Sequence, residues 1–141
     1  MPRKTVLVTG ASRGIGKAIA EEFRKAGALV CIIDLLENDY FVGDIADQTV
    51  LERFAQKVIA DHGHVDYLIN NALPLMKAST NAAMRNSTML RVGVTAPFYL
   101  AKLFAPHFAP GAAIVNISSS RDRMSQPQTE ATPQPRAVSP P

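Results

Sequence analysis

The sequence predicts an α/β domain: a parallel β-sheet doubly wound, with helices on both faces. Three observations predict it. Short apolar runs recur at Thr5 to Val8, Leu29 to Ile33, Val65 to Ile69 and Ala112 to Ile117. Stretches with helical periodicity separate them, and glycines punctuate the junctions. Strands apolar on both sides and alternating with helices imply right-handed βαβ crossovers.

The elements follow in order. Thr5-Val6-Leu7-Val8 is the first buried strand, bounded by a glycine turn. Ile15, Ile19 and Phe23 recur at helical spacing, and Gly27 closes that helix. Leu29 to Ile33 is the second strand and ends at Asp34, and Tyr40-Phe41-Val42 is a short third. Asp47 is placed to cap the next helix, whose buried face is Val50, Phe54 and Val58 and whose end is Gly63. Val65 to Ile69 is the fourth strand. Residues 73–86 are polar and carry weak signals. Met89 to Phe108 reads as one long helix bent at Pro97, and Ala112 to Ile117 as the fifth strand, leading into Ser118-Ser119-Ser120.

Length and composition bound the answer. At 141 residues, 47% of them hydrophobic, the chain supports one domain. The net charge of +3 is mild, and no basic stripe with interleaved aromatics points to nucleic acid. No stretch is long enough to span a membrane and no signal-peptide core is present, so a cytoplasmic protein is expected. The single Cys31 lies in an apolar run and reads as a buried, inert thiol. His62, His64 and His107 show no metal-ligand spacing, and no metal is expected.

The chemistry-bearing motif is Thr9-Gly10-Ala11-Ser12-Arg13-Gly14-Ile15-Gly16, between the first strand and its helix. Glycines there permit a tight turn and let backbone N–H groups approach a pyrophosphate at the positive helix end. Ser12 and Arg13 add possible phosphate or ribose contacts. The other reading is a turn that only packs helix on strand. Asp34, at the end of the second strand, has the offset at which a carboxylate receives the adenosine ribose hydroxyls. A carboxylate there repels a 2′-phosphate and favours NAD over NADP, while the Arg13 cation argues the other way.

With these residues in place, the chain resembles the short-chain dehydrogenase/reductase family. The matching segments are Thr9 to Gly16, Asp34, Gly43-Asp44-Ile45, Asn70-Asn71-Ala72, Val94 to Phe98 and Ile114 to Ser119. The resemblance implies a partial Rossmann-type fold with strand order 3-2-1-4-5, lacking the family's C-terminal part. It implies an NAD(P)-dependent oxidoreductase acting on a small alcohol or carbonyl substrate, homo-oligomeric in the family. It places Asp44 and Ile45 beside the adenine, Asn71 and Ala72 near the cofactor ribose, and Ser119 as the catalytic serine. Two positions depart from the family. Leu73 stands where glycine usually follows Asn-Asn-Ala, and the resemblance implies a narrower cofactor channel there. Gly93 stands where a catalytic Asn is common.

The family's proton donor is a Tyr thirteen residues after that serine, with a Lys four residues further on. Those positions hold Thr132 and Arg136, flanked by Pro133 and Pro135. Thr has no tunable acid, and the prolines oppose a helix. A permissible codon series for Thr132 to Pro140 becomes, with one T ahead of it, Tyr-Ser-Ala-Thr-Lys-Gly-Gly-Leu-Ala. A one-base deletion after the Ala131 codon is therefore expected, with residues 132–141 read out of frame. The sequence divides into a dinucleotide-binding core over residues 1–120 and a tail over 121–141 whose Pro, Gln, Ser and Thr content predicts disorder. Three functional readings stand: an oxidoreductase by descent with impaired catalysis, a non-catalytic dinucleotide-binding fragment, and the product of a damaged gene.

Overall fold

The computed structural model describes residues 3–73 and 87–117. Among the described residues five strands form one parallel sheet: β1 (Thr5–Thr9), β2 (Leu29–Asp34), β3 (Phe41–Val42), β4 (Val65–Asn70) and β5 (Phe108–Asn116). Their order is β3-β2-β1-β4-β5, the order implied by the family resemblance. β1 lies at the centre with every residue buried, which is why it reads as an unbroken apolar run.

Helices cover both faces. α1 (Gly14–Lys25) packs on one face, where Ala20 meets Val6, Val8, Ile32 and Ile69, with Ile19 and Phe23 alongside. α2 (Gln48–His62) and α3 (Ala96–Phe104) pack on the other. There Phe54, Val58, Leu100 and Phe104 close over Leu7, Cys31, Ile33 and Leu68. Phe54 is the hub of this layer: its ring meets those of Tyr40, Phe41 and Phe104 edge-on.

The helix boundaries follow local chemistry. The Asp47 carboxylate accepts hydrogen bonds from the Thr49 N–H at 2.9 Å and the Thr49 hydroxyl at 2.7 Å. Those bonds hold its carboxyl below the usual carboxylate range. Gly63, at φ +79°, ends α2 by donating its N–H to the Ile59 carbonyl. One expected core residue is displaced. Ile15 lies outside the buried face of α1, because that face turns Gly16 and Ala20 inward and leaves Ile15 67% exposed.

The segment expected as one bent helix from Met89 to Phe108 is divided. Residues 87–90 are helical, Arg91–Thr95 widen into a π turn, and α3 runs to Phe104. Pro97 explains the widening: it has no N–H to donate and its ring crowds the preceding turn. The Ala96 N–H reaches back five residues to the Arg91 carbonyl, and the extra residue absorbs the clash. Pro106 breaks the ladder again, and Ala105–His107 tighten into a 3₁₀ turn. The chain is then extended from Phe108, four residues before the predicted start of the strand. Val65 pairs with Phe108 but Tyr67 pairs with Ala113, so β5 bulges between them at Pro110 and Gly111. Regular pairing begins only after the bulge, which is the part of the strand that the apolar pattern revealed.

Phe54→Ala removes the hub of the larger core layer, a side chain with no exposed surface. The expected loss is about 3–5 kcal/mol, a large share of the roughly 5–15 kcal/mol that stabilises a domain. A urea titration followed by far-UV circular dichroism checks it; a midpoint unchanged from wild type contradicts the packing described.

Candidate functional site

The carboxyl ends of β1, β2 and β4 form the rim where an open parallel sheet offers a crevice. Each strand delivers one part of the site. β1 ends at Thr9 and turns through Gly10, at φ +67°, toward Gly14, at φ +64°, where α1 begins. The N-terminus of α1 has no acidic residue in its first turn and no side-chain cap from Arg13. The first turn of α1 thus carries no carboxylate of its own, the arrangement that suits an anion.

The three glycines do different work. A Cβ on Gly10 would lie 2.7 Å from the Ala72 Cα. A Cβ on Gly16 would strike the Asn71 amide and the Gly10 carbonyl. Gly14 is open, with nothing within 4 Å of the same point. So Gly10 and Gly16 permit close packing, and Gly14 leaves free space over the helix end. The packing reading of the glycine motif holds at Gly10 and Gly16, and the open space at Gly14 fits a diphosphate cradle.

β2 delivers Asp34. Its Oδ2 accepts the Ser12 N–H at 2.9 Å and its Oδ1 accepts the Leu36 N–H at 3.1 Å. The Asp34 carbonyl accepts the Gly43 N–H at 2.9 Å. The carboxylate is thus fixed across the glycine turn, with acceptor capacity left on each oxygen for a diol. Asp44 is exposed and its carboxylate accepts the Ala46 N–H, shaping its own turn. Ile45 is 7% exposed and packs in the core with Val50 and Phe54, so its side chain is not presented at the rim.

β4 delivers Asn71 and Ala72. The Thr9 hydroxyl oxygen accepts both of their N–H groups, at 3.0 and 2.9 Å. The Asn71 side chain donates to the carbonyls of Thr9 and Gly10, at 3.1 and 3.0 Å. This latch makes Thr9 a site-building residue that pattern reading passed over, since its hydroxyl is indistinguishable in sequence from any strand-end threonine. A second tie joins β4 to β5, where the Asn70 amide donates to the Asn116 oxygen at 2.9 Å. No local signal could pair these two, 46 residues apart.

The structure therefore gathers Gly10, Ser12, Arg13, Gly14, Ile15, Gly16, Asp34, Asn71 and Ala72 about one rim. Ser119 lies outside the described residues, as do Thr132 and Arg136. Three protic side chains are shifted away from proton transfer at neutral pH. Burial pushes the Cys31 thiol up to about 11. Burial and the hydrogen bond to Asp61 hold the Tyr40 phenol well above its ordinary range. The hydrogen bond to Glu52 raises Tyr99. A phenol that gives and takes a proton at neutral pH needs the opposite shift. Among the described residues, no helix is long and apolar enough to cross a membrane.

A family model described as short chain dehydrogenase matches residues 4–131. The chain belongs to the short-chain dehydrogenase family. Mouse L-fucose dehydrogenase is 31% identical over 89% of this short-chain dehydrogenase sequence and 52% of its own. An uncharacterized oxidoreductase of Thermotoga maritima is 29% identical over 90% of the chain and 57% of its own. Among solved structures, an apo SCOR enzyme from Clostridium thermocellum superposes with a TM-score of 0.85 at 31% identity, covering 97% of this chain and 62% of that one. A ligand-free aldohexose dehydrogenase from Thermoplasma acidophilum gives 0.81 at 25% identity, covering 96% and 57%. The chain thus spans little more than half the length of these short-chain dehydrogenase relatives.

Thr9→Val keeps the shape of a buried side chain and removes the acceptor that serves two N–H groups. The expected cost is about 1–3 kcal/mol for each donor left unpaired. Thermal unfolding of the variant checks it, with amide exchange at Asn71 and Ala72 accelerating ahead of the rest of β4. Slow exchange at both amides in the variant would show that the hydroxyl is not their partner.

Proposed function

We propose that this rim binds a nicotinamide dinucleotide, with NAD preferred over NADP. The observation that carries the proposal is the Asp34 carboxylate held beside an open glycine turn at a helix N-terminus. The backbone N–H groups of the turn and of α1 receive the diphosphate. Asp34 receives the ribose diol and repels a 2′-phosphate, and the exposed Arg13 softens that repulsion without reversing it. Asn71 and Ala72 hold the turn in shape and border the second ribose, and Asp44 with the Ile45 backbone borders the adenine.

The chemistry supplied by the bound nicotinamide is hydride exchange with an alcohol or carbonyl carbon. The names of the two relatives above, L-fucose dehydrogenase and aldohexose dehydrogenase, favour small hydroxyl or carbonyl compounds as the family's substrates at this distance. Ser119 is assigned to hold the substrate oxygen. Thr132 and Arg136 occupy the places of the acid and its lysine partner, and neither substitutes. The chain as given is therefore a short-chain dehydrogenase by descent that binds dinucleotide and turns over poorly. Its core comprises residues 1–120, and the run from Thr132 is proposed to be out of frame, which resequencing codons 129–134 tests. A cytoplasmic location is proposed, and homo-oligomerisation is proposed for the intact family rather than for this chain. The second reading, a non-catalytic binding fragment, is favoured if dinucleotide binds with no turnover at all.

Purified chain given NADH and a panel of aldehydes and ketones is expected to oxidise it near background. General acid–base catalysis alone is worth about 10²–10⁴-fold, and robust turnover would sink the impaired-catalysis proposal. In fluorescence titrations NADH is expected to bind tighter than NADPH, and Asp34→Ala to narrow the gap. Equal or tighter NADPH binding by the wild type would remove Asp34 from the assigned role.

A further inference from the structure

The Asn38 side chain ties the short connection between β2 and β3 into one conformation. Its Oδ1 accepts the N–H groups of Tyr40 and Phe41, each at 2.9 Å. Its Nδ2 donates to the carbonyl of Leu36 at 2.9 Å and to that of Phe41 at 3.0 Å. Donors on one side and acceptors on the other fix which way the amide faces. A carboxylate in its place could serve only the two N–H groups. Two of these bonds go to Phe41, the first residue of β3. β3 is two residues long and pairs with Ile33 and Asp34. So short a strand has few ladder bonds, and the amide supplies what holds its start.

The bond to the Leu36 carbonyl reaches the other end of the connection. The peptide N–H of Leu36 in turn donates to the Asp34 Oδ1 at 3.1 Å, opposite the Ser12 N–H on Oδ2 at 2.9 Å. The outer part of the connection is anchored separately. Arg24 pairs with Asp39 at 2.8 Å, and the Tyr40 hydroxyl donates to Asp61 at 2.7 Å. Those contacts fix residues 39 and 40 against α1 and α2. Asn38 joins that anchored part to the residue that grips Asp34.

The geometry points to Asn38 as a positioning residue for dinucleotide selection, acting through the Leu36 N–H to keep the Asp34 carboxylate aimed at a ribose diol. This rests on the dinucleotide reading of the rim and adds to it a residue that touches no ligand. Two effects of Asp34 separate here. Repulsion of a 2′-phosphate needs its charge, which a loosened connection leaves in place. A hydrogen-bonded grip on a diol needs its direction, which a loosened connection does not keep. Loss of Asn38 therefore weakens NADH and spares NADPH. Loss of Asp34 itself weakens NADH and strengthens NADPH.

The test is fluorescence titration of the full chain with NADH and NADPH, on the wild type, Asn38→Ala, Asp34→Ala and the double variant. In Asn38→Ala, NADH is expected to bind about fivefold weaker and NADPH within about twofold of the wild type. In the Asp34→Ala background the same change should cost NADH less than about twofold, because the group it positions is gone. Amide exchange of unliganded Asn38→Ala should accelerate at Leu36, Tyr40 and Phe41 and stay unchanged in β1. Should Asn38→Ala fail to fold, Asn38→Ser takes its place. A serine oxygen there can still accept a turn N–H but does not bridge to both carbonyls, so the same NADH loss is expected. Equal weakening of NADH and NADPH overturns the proposal and makes Asn38 a residue of the fold alone. So does an undiminished effect in the Asp34→Ala background, or NADH affinity unchanged in the single variant. Each of these leaves the dinucleotide reading standing. A wild type that binds neither cofactor overturns both.

Discussion

The hydroxyl of Thr9 ties the end of β1 to the end of β4, and the geometry of the rim depends on that tie. It accepts two consecutive backbone N–H groups from a segment more than sixty residues away. A parallel pair needs such a device. Its strands end side by side, and the chain leaving each has no hairpin to hold it. With Asn71 fixed, its side-chain amide can satisfy the Thr9 and Gly10 carbonyls that the turn leaves unpaired. With that amide in place, position 16 has no room for a Cβ. Strand-end packing thus accounts for Gly10 and Gly16, while Gly14, at φ +64°, answers to its backbone conformation and leaves open space over the helix end.

Asp34 carries a comparable double duty on the other side of β1. Its carboxylate organises the turn through the Ser12 and Leu36 amides, and its carbonyl organises the third strand through Gly43. Replacing it alters the shape of the loop as well as its charge. A change of cofactor preference in an Asp34 variant therefore has to be read beside the stability of the variant.

Much of this was legible in the sequence because the signals are local. Apolar runs located β1, β2 and β4, and Asp47 and Gly63 marked both ends of α2. The spacing from the glycine turn to Asp34 placed both on one rim. The illegible parts have non-local causes. The periodicity of α1 assigned Ile15 to the core, but the buried face is set by the contact of Gly16 with Asn71, which no pattern within the helix contains. The burial of the Ile45 side chain against Val50 and Phe54 was likewise not to be read from its motif. Pro97 announced a bend, yet whether a helix kinks or widens depends on which carbonyl the displaced N–H can reach. The bulge at Pro110 and Gly111 likewise depends on the register of β4 opposite.

The two edges of the sheet are unequal, and the inequality bears on how the chain behaves. β3 is two residues long and offers little to pair with. β5 is nine residues long and is the outer strand on its side among the described residues. Its first half is blunted by the proline and the bulge, which protect edges generally. Its second half is flat, with Ile114 and Val115 exposed at 46% and 41%. Leu68 and Ile69, their partners on β4, belong to opposite core layers, so β5 leaves apolar surface open on both faces. Phe98 on α3 adds a ring that is 76% exposed. Each such side chain forgoes part of the roughly 1.5–3 kcal/mol that full burial contributes. The pressure to associate is therefore concentrated at β5 and α3. The rim of the candidate site runs across the ends of β2, β1 and β4, and its glycine turn lies on β1, one strand away from that edge's neighbour. Gly14 and Asp34 are carried by the N-terminus of α1 and the end of β2. Covering or charging the β5 edge therefore alters surface that does not include the glycine turn or Asp34.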